Sequence, residues 1–157
     1  MPPEPILDVS EIDQSKVAVT REQIYQVNPH RYEFQQLDGI FFLDFDRNVI
    51  AGFRDVREDE FWVRGHIPGR PIFPGVLMIE SAAQLFSYYV VTREKYDGFI
   101  GFGGVDNVKF RGQVVPGDRV IILGRMVEVR KRRCVGAVQG FVDGRMVFEG
   151  TITGMLI

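Results

Sequence analysis

One cysteine, Cys134, stands in a chain of 157 residues. A single thiol permits no internal disulfide, so the fold does not depend on an oxidising compartment. Its neighbours Val135 and Ala137 suggest a strand, where an inert packing thiol is expected. There is no excess of positive charge either. Nineteen Lys and Arg against 21 Asp and Glu give a net charge of −2, so the molecule as a whole offers nucleic acid no attraction. The opening Met1-Pro2-Pro3-Glu4-Pro5 lacks a basic region followed by an apolar run and does not read as a signal peptide. A cytoplasmic protein is the expectation. Internal repeats and low-complexity linkers are absent. One run, Gly75 to Thr92, is long enough to suggest a membrane span. It contains Glu80, Gln84, Ser81 and Ser87, and no second such span accompanies it. A buried helix without membrane insertion is the better reading.

What is present is ordinary for a globular domain: 45% hydrophobic and 25% charged residues. Thirteen phenylalanines point to an aromatic core or a lipophilic cavity. Residues 1–20 show little periodicity and read as a loosely attached arm, with a single domain over 21–157. Thr20 and Gln23 have the spacing of a capping box, opening a short helix that Asn28-Pro29 ends. Strands are expected at about Gly39–Phe45 and Asn48–Val56, around a turn at Asp46-Arg47-Asn48. After the apolar run come an irregular strand, Phe99–Val114, interrupted by glycines, and strands at Arg119–Arg130, Arg133–Val142 and Arg145–Leu156. Asp143-Gly144 is a strong hairpin signal. Strands, one long helix and further strands in meander order indicate an α+β fold, a curved antiparallel sheet wrapped around one long buried helix.

The chain is organised around residues 65–80. Pro68, Gly69, Pro71 and Pro74 stiffen a loop that carries His66, one of two histidines. Pro74 suits the first turn of a helix running to about Thr92. Within that helix Glu80 is the one formal charge, and a carboxylate on an apolar segment must be solvated, paired or used. Glu80, Gln84 and Tyr88 form a polar stripe at i, i+4 spacing. The free N–H groups of Gly75 and Val76 point toward the histidine loop and could hold an oxyanion. An acid–base pair and an oxyanion site thus fall within one short stretch. His30, the other histidine, lies in a turn and reads as structural.

His66-Ile67-Pro68-Gly69-Arg70-Pro71-Ile72-Phe73-Pro74-Gly75-Val76-Leu77, followed by Glu80 and Ala83-Gln84, closely resembles the signature of the FabZ-type 3-hydroxyacyl-acyl-carrier-protein dehydratases. Pro29-His30-Arg31-Tyr32, Lys109-Phe110 and Pro116-Gly117-Asp118 agree with the same family in order. The stretch from Glu33 to Gly39 departs from the family pattern, as does Ile67. The resemblance implies the hotdog fold, a homodimer joined edge to edge, and three dimers often forming a hexamer. It implies loss of water from a (3R)-hydroxyacyl thioester on acyl carrier protein, giving the trans-2-enoyl thioester, with no cofactor and no metal. Residue by residue, it makes His66 the catalytic histidine and Glu80 the catalytic acid, contributed by different subunits. Gly75 would receive the thioester oxygen, with Val76, Ile72 and Phe73 beside it, and Gln84 would hold the acid. Glu80, where a dehydratase-isomerase type has aspartate, favours plain dehydration.

The basic run Arg130-Lys131-Arg132-Arg133 is either a solvated turn or a contact for acidic carrier protein. In the second reading Arg132 and Arg133 act with Lys109 and Arg111. Two other functions compete: a hotdog acyl thioesterase, which leaves the Pro/Gly histidine motif unexplained, and a catalytically silent hotdog subunit that binds carrier protein or lipid. The joint presence of His66 and Glu80 argues against the silent subunit.

Overall fold

The computed structural model describes every residue from Met1 to Ile157. A two-residue strand β1 (Val19–Thr20) runs straight into helix α1 (Arg21–Val27). Thr20 accepts from the Gln23 N–H while the Gln23 side chain accepts from the Thr20 N–H, the reciprocal capping box anticipated from the sequence. Strands β2 (Gly39–Asp44) and β3 (Val49–Asp55) form a hairpin. Helix α2 (Gly75–Glu94) follows, then strands β4 (Ile100–Phe110), β5 (Arg119–Val129), β6 (Arg133–Val142) and β7 (Arg145–Leu156). Asp143 and Gly144 both take positive φ, as the tight turn between β6 and β7 requires.

The seven strands make one antiparallel sheet in the order β1-β2-β3-β5-β6-β7-β4. The expected meander therefore fails at one strand. β3 pairs with β5, and β4 crosses to the far edge to pair with β7. The intervening α2 makes this possible: it lies along the inner face of the sheet and returns the chain at the opposite side. Register slips at Phe102/Gly104 and Asp106/Lys109 account for the glycines within β4, which bend the strand at bulges.

Pro74 is the N-cap of α2, one residue outside the helix, and the helix runs to Glu94, slightly beyond the expected Thr92. Met78, Ala82, Leu85, Phe86, Tyr89 and Val90 face the sheet and belong to the main core with Ile40, Ile50, Val120, Ile122, Val138 and Phe148. Phe86 lies so close to β6 that a Cβ on Gly136 would stand 2.1 Å from its ring, so only glycine fits there. The sheet does not close around α2. Val76 is 71% exposed, and Leu77, Ile79 and Ala83 are only partly covered.

The arm is less loose than the sequence suggests. It has little regular structure, one 3₁₀ turn at Val9–Glu11 and the two-residue β1 at its end, but Ile6, Leu7, Val9 and Ile12 pack on the outer face of the sheet. Apolar burial outweighs the missing secondary structure.

Candidate active site

The loop between β3 and α2 is held by its own backbone. The His66 N–H donates to the Trp62 carbonyl at 2.9 Å, and the Phe73 N–H donates to Val114 at 2.7 Å, fixing the loop to the segment after β4. Gly69 sits at φ +78°, where a side chain would be strained. His66 Nδ1 lies 2.7 Å from the Ile72 carbonyl oxygen. A carbonyl can only accept, so Nδ1 carries the proton and a neutral ring presents Nε2 as a free base. The ring is exposed and opens on a cleft lined also by Ile72, Phe73, Gly75, Val76, Met78, Phe110, Gly112 and Gln113. The structure thus gathers five of the anticipated residues, His66, Ile72, Phe73, Gly75 and Val76. The first N–H groups of α2 have no partner within the helix and carry its positive end. Gly75 has no room for a side chain, because a Cβ there would stand 2.7 Å from the Phe110 ring.

Glu80 is absent from the lining of that cleft. It lies one turn beyond Val76 on α2, mostly buried, against the loop that follows α1. Gln84 is the hub of this second cluster. Its Nε2 donates to Glu80 Oε1 at 2.8 Å and to the Phe34 carbonyl at 2.6 Å. Its Oε1 accepts from the Tyr25 hydroxyl at 2.6 Å and from the Gln36 N–H at 3.1 Å. All four hydrogen-bonding positions of a fully buried amide are used, so the Glu80 carboxylate meets a donor fixed from three sides.

His30 enters here, although the sequence assigned it only to a turn. Its Nε2 is 3.5 Å from Glu80 Oε1. Burial lowers its pKa; the Glu80 charge opposes this and Arg31 adds to it. Asn28 Nδ2 donates to the Gln84 carbonyl at 2.9 Å and anchors this loop on α2.

A second residue invisible at the sequence level is Arg54, 1% exposed. Its guanidinium donates to Gln36 Oε1 at 2.8 Å, to the Asp55 carbonyl at 2.6 Å and to the Glu60 carboxylate, and it sits 5.0 Å over the Phe73 ring. Burial pushes the Glu60 carboxyl up, but hydrogen bonds from Arg54 and from the Arg57 N–H outweigh it and leave the pKa lowered. Arg54 therefore touches both ends of the histidine loop, Glu60 and Phe73, and also Gln36, whose N–H holds Gln84. Arg54 is followed directly by Asp55, and an adjacent pair of opposite charges between Phe53 and Val56 reads as an ordinary strand end, so the sequence carried no distinct signal for it.

The proposed basic cluster comes apart. Arg111 is committed to Glu149, Nε to Oε2 at 2.6 Å, because β4 and β7 place Lys109 opposite Glu149. Arg133 pairs across the sheet with Met155, and Met155 with Gly101. Arg132 and Arg133 thus lie at one end of the sheet and Lys109 at the other, separated by about 25 Å of strand. Within one chain they form no single patch. Cys134 is buried and its thiol pKa is raised by burial, as suits a packing residue.

Replacing Gln84 with leucine strands the Gln36 N–H and the Phe34 carbonyl and loosens Glu80. At about 1–3 kcal/mol for each buried group left unpaired, Gln84→Leu should cost roughly 2–5 kcal/mol, read by urea denaturation.

An antiparallel sheet packed on one long helix defines a hotdog-fold protein. Solved structures share this fold. The dehydratase heterocomplex ApeI:P from Xenorhabdus doucetiae superposes with a TM-score of 0.72 at 15% identity, covering 85% of this chain and 90% of that one. A putative thioesterase related to phenylacetic acid degradation from Ralstonia eutropha JMP134 gives 0.62 at 13% identity, covering 74% and 83%. At such identities the likeness is one of fold. The sequence carries it further: the FabA-like domain family matches residues 28–151, and the chain belongs to that family. Among its curated relatives, the 3-hydroxyacyl-acyl-carrier-protein dehydratase FabZ of Clostridium botulinum (strain Loch Maree) is 34% identical over 131 residues, 83% of this chain and 90% of the relative. The enzyme of the same name from the Eklund 17B strain is 35% identical over 133 residues, 83% and 94%.

Proposed function

We propose that this protein is a hydro-lyase that converts (3R)-hydroxyacyl-acyl-carrier-protein to the trans-2-enoyl form in fatty-acid biosynthesis. The observation that carries the reading is the His66 imidazole, held by Ile72 so that Nε2 is a free base beside the start of α2. The thioester oxygen seats on the Gly75 and Val76 N–H groups, where negative charge developing on it is stabilised. His66 Nε2 removes the Cα proton, which the thioester acidifies. The C3–oxygen bond breaks as Glu80 gives its proton to the departing hydroxyl, which leaves as water. The proton on His66 then returns to Glu80 through solvent. Gln84 positions the carboxylate, and Ile72, Phe73 and Phe110 border the acyl chain. The route needs no cofactor or metal.

The acid comes from a second copy of the chain. Two observations support a homodimer with composite sites: Glu80 lies outside its own chain's His66 cleft, and β4 is a free edge. That edge exposes Phe99, Phe102, Val105 and Phe110, next to the exposed Val76. A long apolar edge of this kind is a template for pairing. Antiparallel pairing of two β4 edges sets the Gly101 end of one strand beside the Lys109 end of the other. It brings the partner's Arg132 and Arg133 toward the end that holds the His66 cleft. There they form the landing surface for acidic carrier protein, with Lys109 as neighbour. Three such dimers forming a hexamer, and a place in the cytoplasm, complete the proposal. No helix is long and apolar enough to cross a membrane.

Incubation with a 3-hydroxyacyl thioester, following enoyl absorbance against free thiol, tests the reaction. Enoyl without thiol is expected; thiol without enoyl means a thioesterase, and neither means a silent subunit. For the carrier surface, Arg132→Glu with Arg133→Glu should raise KM for carrier-protein substrates but leave small thioester analogues unchanged. The wild-type preference should weaken with salt, since exposed charges are screened over about 10 Å at 0.1 M. Equal behaviour of both substrates would remove the hairpin from recognition.

A further inference from the structure

The two oxygens of Glu80 are not equivalent. Gln84 cannot be turned round: its Oε1 receives the Gln36 N–H, which can only donate, and its Nε2 serves the Phe34 carbonyl, which can only accept. The other Nε2 proton therefore points at Glu80 Oε1, 2.8 Å away, and makes that atom an acceptor. His30 Nε2 stands 3.5 Å from the same Oε1, at the edge of hydrogen-bond reach. Contacts of this length commonly tighten when substrate binds. Glu80 Oε2 makes no hydrogen bond within the chain.

The loop that carries His30 is shaped to put it there. Buried Asn28 ties its start to the Gln84 carbonyl. Arg31 folds back, and its Nη1 donates to the Asn28 carbonyl at 3.1 Å and to the His30 carbonyl at 2.7 Å. Tyr32 takes φ +55°, a conformation that side chains rarely adopt, although its ring is exposed. Backbone strain of this kind persists where the surroundings over-determine it. His30 Nδ1 is buried and meets no partner in the chain, so the one polar contact of the ring is with Glu80. A buried nitrogen left unpaired is costly, and packing alone gives no reason for an imidazole here rather than an apolar ring.

We infer that His30 is a positioning residue for the acid: its Nε2–H, together with the Gln84 amide, holds Glu80 Oε1 as a fixed acceptor, so that Oε2 carries the proton given to substrate. Within the proposed dehydration, on which this assignment rests, the two donors first grip the carboxyl group by its carbonyl oxygen. Once Oε2 has released its proton, the same donors meet the new negative charge without moving, which is where preorganised donors contribute most. The ring must be neutral for this. Burial disfavours its charged form, the Glu80 charge opposes that effect and Arg31 reinforces it. Tyr25 faces the same cluster from α1 and is kept a neutral phenol by burial. The other tautomer sets a bare Nε2 against Oε1 and buries an Nδ1–H without an acceptor. It is satisfied only if the acid proton moves to Oε1, away from substrate. The two histidines of the chain thus carry their protons on opposite nitrogens, His66 on Nδ1 and His30 on Nε2.

The test uses the full chain and two kinds of measurement. Nitrogen–proton NMR correlations of the imidazoles read the tautomers with no substrate present. His30 should show a protonated Nε2 and a bare Nδ1, and His66 the reverse. Two variants then address turnover. His30→Phe keeps a ring and removes the donor, whereas His30→Gln keeps a donor near the place of Nε2. With a 3-hydroxyacyl thioester, His30→Phe should lose about tenfold or more in kcat with KM within about twofold of wild type, as expected for a lost hydrogen bond to a charged group. The alkaline limb of its kcat profile, where the acid loses its proton, should move up by about one pH unit, because losing a donor disfavours the carboxylate. The acid limb, set by His66, should stay in place. His30→Gln should recover most of kcat and return the alkaline limb. A proton on Nδ1 of His30 in an active wild type overturns the inference, and so does an unmoved alkaline limb in His30→Phe. A His30→Gln enzyme as slow as His30→Phe overturns it too, since the ring would then matter only for its shape. A wild type that forms no enoyl product overturns the proposed reaction and the role of His30 with it; the tautomers, read without turnover, tell that failure from the others.

Discussion

Mixed in equal amounts and allowed to exchange, His66→Ala and Glu80→Gln chains should regain about a quarter of wild-type activity, a recovery that follows from two-fold symmetry. Each variant alone should lose at least about a hundredfold in turnover, since a placed proton donor or acceptor is typically worth 10²–10⁴ in rate. In a homodimer of either variant both sites are dead. In the mixed dimer one site lacks both groups and the other has both. Random exchange makes half the dimers mixed, each with one working site of two. Neither substitution threatens the fold. His66 is on an exposed loop, and glutamine at position 80 retains an acceptor for Gln84. Exchange is checked independently with differently tagged chains. No recovery after confirmed exchange would place the pair in one subunit or remove one residue from catalysis.

Arg54→Met should cause the largest loss of stability of any single change considered, about 3–5 kcal/mol, because it leaves Glu60 buried without its cation. For a chain of this size that is a fall in Tm of about 10 °C. The Glu60 side chain is only 8% exposed; it keeps the Arg57 N–H and borders an open cleft, so water replaces the guanidinium only in part. Turnover should fall too, since Phe73 and Gln36 both lean on Arg54. Adding Glu60→Leu to Arg54→Met should restore part of the stability, as apolar replacement of a whole buried pair often does, while leaving turnover low. A Tm shift under about 2 °C for the single variant would mean that Arg54 is not the buried pivot seen here.

The features that were legible in the sequence are those decided locally. The Thr20/Gln23 box, the Asp143-Gly144 hairpin and the Pro-rich entry to α2 depend on neighbours within a few residues, and they form as expected. The His66 loop and the α2 N-terminus come together because they are adjacent in the chain. What was illegible depends on partners far away. Nothing near β4 says that it will leave the meander and pair with β7. That one crossing puts Glu149 beside Arg111 and removes the arginine from the basic cluster. His30 is close to Glu80 because Gln84 and Asn28 bind its loop to α2, a contact between segments over fifty residues apart. The arm reads as loose because its hydrogen bonds go to Gln139 and Arg125, at the other end of the chain.

The far-edge position of β4 also sets when this protein can finish folding. Phe110 pairs with Phe148 and Ile100 with Leu156, so the wall beside α2 cannot be built until the last strand is available. During synthesis the most apolar helix of the chain emerges with β1, β2 and β3 as its only strands, and it waits for β5, β6 and β7 in turn. Pairings of such sequence separation form slowly, and half-covered apolar helices are what chaperones bind. The interval between the appearance of Gly75 and that of Leu156 is therefore the period in which the nascent chain is most exposed to aggregation.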